Sequence, residues 1–190
     1  DGFTGNFVTS AAFAGHTIFD LIGAESAGVL AFRVPMTFPV WPVNGVMVAG
    51  YPTPDRTKAY VFPPEMASSL EPLALHSHDE IARAGIPEER KNADYEIEKL
   101  VSTMGRFLRE GKLDFYMGVT GVSDGFHHKF WKYHDPAHPL HNPAWPSADR
   151  NIIREYYSKL DAAVGELLAL VDESWLVFVM SDHGGGPKPH

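Results

Sequence analysis

A run of uncharged, mostly bulky side chains, Trp175-Leu176-Val177-Phe178-Val179-Met180, leads straight into Ser181-Asp182-His183-Gly184-Gly185-Gly186-Pro187. The run is partly β-branched and is bounded by polar residues and glycines. It reads as a fully buried strand, because strands covered on both faces carry continuous apolar runs of this kind. A carboxylate and an imidazole at its C-terminal end then fall where open α/β sheets place their ligands. Asp182 and His183 suit a divalent ion such as Zn²⁺ or Mn²⁺. The same pair also fits an ordinary turn, with Asp182 as the N-cap of a following helix.

The rest of the chain supplies the other layers of such a fold. Residues 17–27 carry apolar side chains at 18, 19, 21 and 22, the spacing of a short helix. A strand follows over 28–34 and stops at Pro35. Prolines at 35, 39, 42, 52, 54, 63 and 64 then exclude a long helix or a central strand. Trp41, Tyr51, Tyr60 and Phe62 call for burial, so 35–64 reads as an ordered, largely irregular excursion with short edge strands. Helical character resumes over 78–111, most clearly at 94–110, which Gly111 closes. A strand at 113–120, a His- and aromatic-rich loop from Asp124 to Trp145, and a helix from Asp149 to Val171 lead into the final strand. This order predicts an α/β fold, a mainly parallel sheet with helices on both faces, as a single domain over residues 1–190. The chain opens at Asp1 without a methionine and stops at His190, just past a Gly-rich turn that a βα unit continues into a helix. It therefore reads as a piece of a longer protein, truncated at both ends.

A net charge of -8 argues against a nucleic-acid polymer or an anionic membrane surface as partner. It leaves an anionic small molecule open, since bound cations invert the local field. No apolar stretch approaches the roughly 20 residues that span a bilayer, and no signal peptide is visible, so a cytoplasmic location is slightly favoured. The absence of cysteine removes thiolate ligands and leaves His and Asp/Glu as candidate metal donors.

A second polar cluster, Ser123-Asp124-Gly125-Phe126-His127-His128, follows the strand at 113–120 as Asp182-His183 follows the strand at 175–180. Two strands of one sheet would thus each deliver an Asp and a His to the same edge. If the segment turns helical, Asp124 and His128 at i and i+4 share a face and can grip one ion. Asp182 and His183 could hold a second, as two-metal phosphoryl-transfer sites do. Plainer roles stand beside this: Asp124 in an Asx-turn, and His127, His134, His138 and His141 as loop residues capping carbonyls or facing water. Trp41 and Trp145 fit core packing better than stacking on a nucleobase.

Three stretches resemble the alkaline phosphatase superfamily, and within it the type I phosphodiesterase/nucleotide pyrophosphatase-like group: VPMTFPVWPVNGVMVAGYPTPD at 34–55, SDGFHHKFWKYHDP at 123–136 and VFVMSDHGGGP at 177–187. The resemblance implies that Asp124 and His128 ligate one divalent ion and Asp182 and His183 the other, two ions in all, usually zinc, with other divalent ions in some members and manganese the alternative here. His127 falls at a variable position of the motif. It further implies a Ser or Thr nucleophile that forms a covalent phosphoryl-enzyme from a small-molecule phosphate ester, of phosphodiester or nucleotide pyrophosphate type. The family's early metal-binding Asp, its nucleophile and a late metal-binding His have no match here. Thr4, Thr9 and Ser10 do not resemble the nucleophile motif. With four of the ligands, the expectation for these residues alone is weak metal binding and little or no catalysis. The alternatives are a catalytically inactive metal-binding or interaction module on the same fold, or a sulfatase or phosphomutase relative.

Overall fold

The structure, a computed structural model, describes residues 9–53, 60–70 and 85–186. The expected helical stretch at 78–84, Pro54 of the excursion, Thr4 and the residues from Pro187 onward lie outside these. The described residues form two compact units. One holds those up to 70 together with Ser102–Val119; the other holds 85–101 and 120–186.

The first unit contains the sheet. Its helix α1 (Ile18–Ala24) begins where the Asp20 carboxylate accepts from the Thr17 backbone N–H (2.8 Å) and hydroxyl (2.6 Å). Burial pushes the Asp20 carboxyl up, but bonds from Thr17 and from Trp41 Nε1 (2.9 Å) outweigh it and hold the group below its usual range. Four strands follow: β1 (Val29–Val34), β2 (Gly45–Ala49), β3 (Val61–Phe62) and β4 (Phe115–Gly118). They lie in the order β3-β2-β1-β4, with β1 parallel to β2 and β4, and β3 antiparallel to β2. The fold is therefore α/β with a mostly parallel sheet. Val29, Ala31 and Met47 pack with Phe19 and Trp41 into its core.

One expectation for the excursion fails. β2 pairs on both sides, with β1 and β3, and is an interior strand. The prolines bracket it at 42 and 52 without entering it, so every ladder N–H is retained. Its first residue must be glycine: Gly45 has φ of 147°, and a Cβ there would fall into the Val29 backbone of β1. Gly45→Ala is expected to destabilise the protein by about 1–3 kcal/mol in urea unfolding, because strain and overpacking act together. An unchanged midpoint would show that the β1–β2 spacing can relax. Further along, Arg33 takes φ of 60° and the register slips, so that Phe32 opposes Val48 but Val34 opposes Ala49. This is a β-bulge near the carboxyl end of β1.

Helix α2 (Ile86–Glu110) is longer than the 94–110 core of the sequence reading. Pro87 sits in its first turn, where a missing N–H costs nothing, and Glu88 and Glu89 suit the positive end of the helix dipole. α2 supplies residues to both units. The second unit adds α3 (Val122–His134), a short α4 (Ser147–Arg150) and α5 (Ile152–Leu168). Its core joins Ala93 of α2, Val122, Phe126 and Phe130 of α3, and Ile152, Ile153 and Tyr156 of α5. The Tyr156 hydroxyl donates to the Arg90 carbonyl at 2.8 Å. Burial, with the neighbouring Asp94 carboxylate, pushes that phenol up to about 12. Arg90–Glu155 (2.5 Å), Lys159–Asp94 (2.6 Å) and the largely buried Lys129–Glu89 pair tie the three long helices together.

Two further expectations are corrected in this unit. The region read as a loop from Asp124 is helical as far as His134, because Val122, Phe126 and Phe130 recur every four residues and bury one face. The run 175–180 is not a buried strand. It has no place in the four-stranded sheet, and its side chains are exposed, Leu176 at 79% and Phe178 at 69%. An apolar run states what would be buried if a neighbour were present, but pairing needs an edge to pair with. No described helix is long and apolar enough to cross a membrane.

Candidate functional site

Helix α3 opens a few residues past β4, and its entry is held from outside. Its N-cap, Gly121, has no side chain to cap with. The Glu96 carboxylate of α2 takes that role, with Oε1 accepting from Gly121 N–H (2.9 Å) and from the Thr120 hydroxyl (2.6 Å). Asp124 then falls in the first turn, where a carboxylate is favoured, and His128 lies one turn on. Asp124 Oδ1 stands 3.2 Å from His128 Nε2.

The extended segment after Met180 brings the second pair to the same helix. His183 Nε2 is 3.8 Å from Asp124 Oδ1 and 3.7 Å from Asp182 Oδ2. With Nδ1 donating to the Gly184 carbonyl (2.9 Å), Nε2 is the His183 ring nitrogen turned toward the carboxylates. The Gly184 carbonyl, then Asp182 and Asp124, raise the His183 imidazole above its ordinary value. All four side chains are at least half exposed, and Asp182 most of all.

The structure therefore brings together Asp124, His128, Asp182 and His183, though not by two strands delivering them to one sheet edge. A helix face and an irregular segment do so instead. Donor atoms bound about 2.0–2.2 Å from a tetrahedral ion stand about 3.4 Å from one another, so the Asp124–His128 spacing fits two ligands of one ion. Asp182 and His183 are slightly wider apart. Among the described residues no group of three or more His, Asp or Glu side chains is arranged to hold one ion. The donor set is thus two pairs that meet at Asp124.

A scan against protein-family models matches residues 19–189 to "Type I phosphodiesterase / nucleotide pyrophosphatase". The chain belongs to that family. Membership in the type I phosphodiesterase/nucleotide pyrophosphatase family places it among phosphoester hydrolases at the level of the family, and the match spans all four donors. No curated protein and no solved structure matches the chain significantly.

The remaining histidines separate. His141 Nδ1 meets the Lys132 carbonyl at 2.9 Å, a carbonyl-capping role, and His138 Nδ1 accepts from Leu140 N–H at 3.1 Å. His134 lies in α3 with its ring 5.9 Å from Trp131. His127, read as a loop residue, is helical and partly buried, and that burial lowers its pKa. Both tryptophans of the sequence reading pack on their own chain. Trp41 is buried edge-on to Phe13, and Trp145 stacks on Tyr133 at 4.1 Å. Sequence reasoning missed Glu96, because a cap supplied by another helix leaves no local signature.

Proposed function

We propose that the chain carries part of a two-metal phosphoester-hydrolase site, in which Asp124 and His128 hold one divalent ion and Asp182 and His183 the other. Zinc is the favoured metal, with manganese as the alternative, because the set is two carboxylates and two imidazoles with no thiolate. The substrate class is a small-molecule phosphodiester or nucleotide pyrophosphate, in keeping with the family. The observation that carries the reading is the convergence on Asp124 Oδ1 of imidazoles from two separate segments, 3.2 and 3.8 Å away. Bound divalent ions supply charge neutralisation at the phosphoryl oxygens and lower the pKa of an attacking hydroxyl. The chain's own residues do the rest: Glu96 fixes the entry of α3, and the Gly184 carbonyl orients the His183 ring. The nucleophile, a Ser or Thr by family resemblance, is assigned to no residue of this chain.

Because the donors stand as pairs, a non-catalytic metal-binding module is the second reading. Zinc titration of this chain by calorimetry, paired with hydrolysis of a bis-aryl phosphodiester by a form of the protein that also carries a Ser or Thr nucleophile, separates the two. Saturable zinc binding that is weakened by His183→Ala and accompanied by turnover is the expected result for a hydrolase. Zinc binding without turnover favours the module, and an absence of zinc binding sinks both.

A further inference from the structure

The segment that carries Asp182 and His183 needs something to hold it. It is exposed, belongs to no helix or strand, and continues into three consecutive glycines, the residues with most conformational freedom to lose. Its approach to α3 involves two points. One is the His183–Asp124 contact. The other is Gly185, where a Cβ would fall inside the His127 imidazole, whereas a Cβ on Gly184 or Gly186 meets nothing within 4 Å. His127 is fixed in its turn. Its ring stands edge-on to Trp131 (5.4 Å) and near Tyr157 (5.6 Å), and the Tyr157 hydroxyl lies 3.3 Å from Nε2. Residues 124, 127, 128 and 131 share one face of α3, opposite the buried Val122, Phe126 and Phe130.

We propose that His127 is a positioning residue, a seat on which the Gly185 backbone docks so that Asp182 and His183 are held beside Asp124 and His128. The proposal rests on the metal reading above. It gives a role to a histidine that the ligand motif leaves out, and it explains why only the middle glycine of the three must lack a side chain. His127 acts through the segment it seats and need not touch an ion.

The test is a size swap in the whole 190-residue chain, read in two ways. In metal-free protein, the imidazole C–H resonances of His127 (identified by their loss in His127→Ala) report the seat directly. In zinc titrations, affinity reports what the seat does. Gly185→Ala is expected to shift the His127 resonances and to weaken zinc binding by about 10–100-fold, the range for groups that orient ligands. Gly186→Ala is expected to leave both unchanged. His127→Ala alone is expected to weaken zinc binding too, because the seat is gone, and combining it with Gly185→Ala is expected to add little further loss, because the methyl group then has no ring to displace; losses from general unfolding accumulate instead. Thermal melts of each variant separate a change of affinity from a change of fold. The seat is refuted if Gly185→Ala moves neither the resonances nor the affinity, or if His127→Ala alone leaves zinc affinity unchanged. Should the native chain take up no zinc at all, the metal reading falls and the His127 resonances alone decide the seat.

Discussion

Zinc affinity is expected to collapse in Asp124→Ala, by more than about 100-fold, beyond the 10–100-fold typical of a supporting residue. The reason is its place between the pairs. Asp124 Oδ1 is near both His128 and His183, so its loss takes the carboxylate from the first pair outright and also removes a contact that holds His183, paired with the mostly exposed Asp182, beside α3. Removing Asp182 is expected to cost less, since the Asp124–His128 pair is left untouched. The fold is expected to survive, because a first-turn carboxylate contributes only about 0.3–1 kcal/mol through the helix dipole. Calorimetry on Asp124→Ala and Asp182→Ala, with circular dichroism to confirm folding, checks the ranking. Equal losses in the two variants would mean that the pairs bind independently and that the contact across Asp124 contributes nothing.

The elements with strong local pattern were legible. β1 and α5 appear within a few residues of where apolar spacing and Pro35 put them, and α2 does so over its C-terminal half. Helix α3 was hidden by composition. Gly125 and a run of His and aromatic residues have poor helix propensity, and the stripe of 122, 126 and 130 outweighs it only once Ile152 and Tyr156 stand opposite. β2 was hidden by its proline-rich flanks, which say where a strand cannot be but not that one fits between them.

The four donors were named together for a reason that does not hold in detail. Two strands of one sheet are expected to deliver them to the same edge, yet 175–180 is exposed and joins no strand of the sheet. What survives is the i, i+4 spacing of Asp124 and His128, which follows from helix geometry alone. The approach of His183 depends on tertiary contacts, with Asp124 and with His127, that no local pattern encodes. Charge and residue type therefore picked out the chemistry, while its assembly rests on one helix face and the core beneath it.

That dependence makes the core under α3 the second place where a single change has a large expected effect. Phe126 is 3% exposed, packs against Phe130 at 5.0 Å and Tyr156 at 4.2 Å, and lies on the face opposite the donors. Phe126→Ala is expected to cost about 3–5 kcal/mol, the sum of lost transfer energy and an unfilled cavity. Phe126→Leu keeps most of the volume and is expected to cost less than half as much, the remainder coming from lost ring-on-ring contact. Urea unfolding measures both, with an unchanged slope confirming that the loss lies in the folded state. Zinc affinity should fall in Phe126→Ala as well, since Asp124 and His128 take their register from the same helix. A cost below about 1 kcal/mol would mean that the helix is held chiefly by contacts other than the Phe126 ring, such as the largely buried Lys129–Glu89 pair.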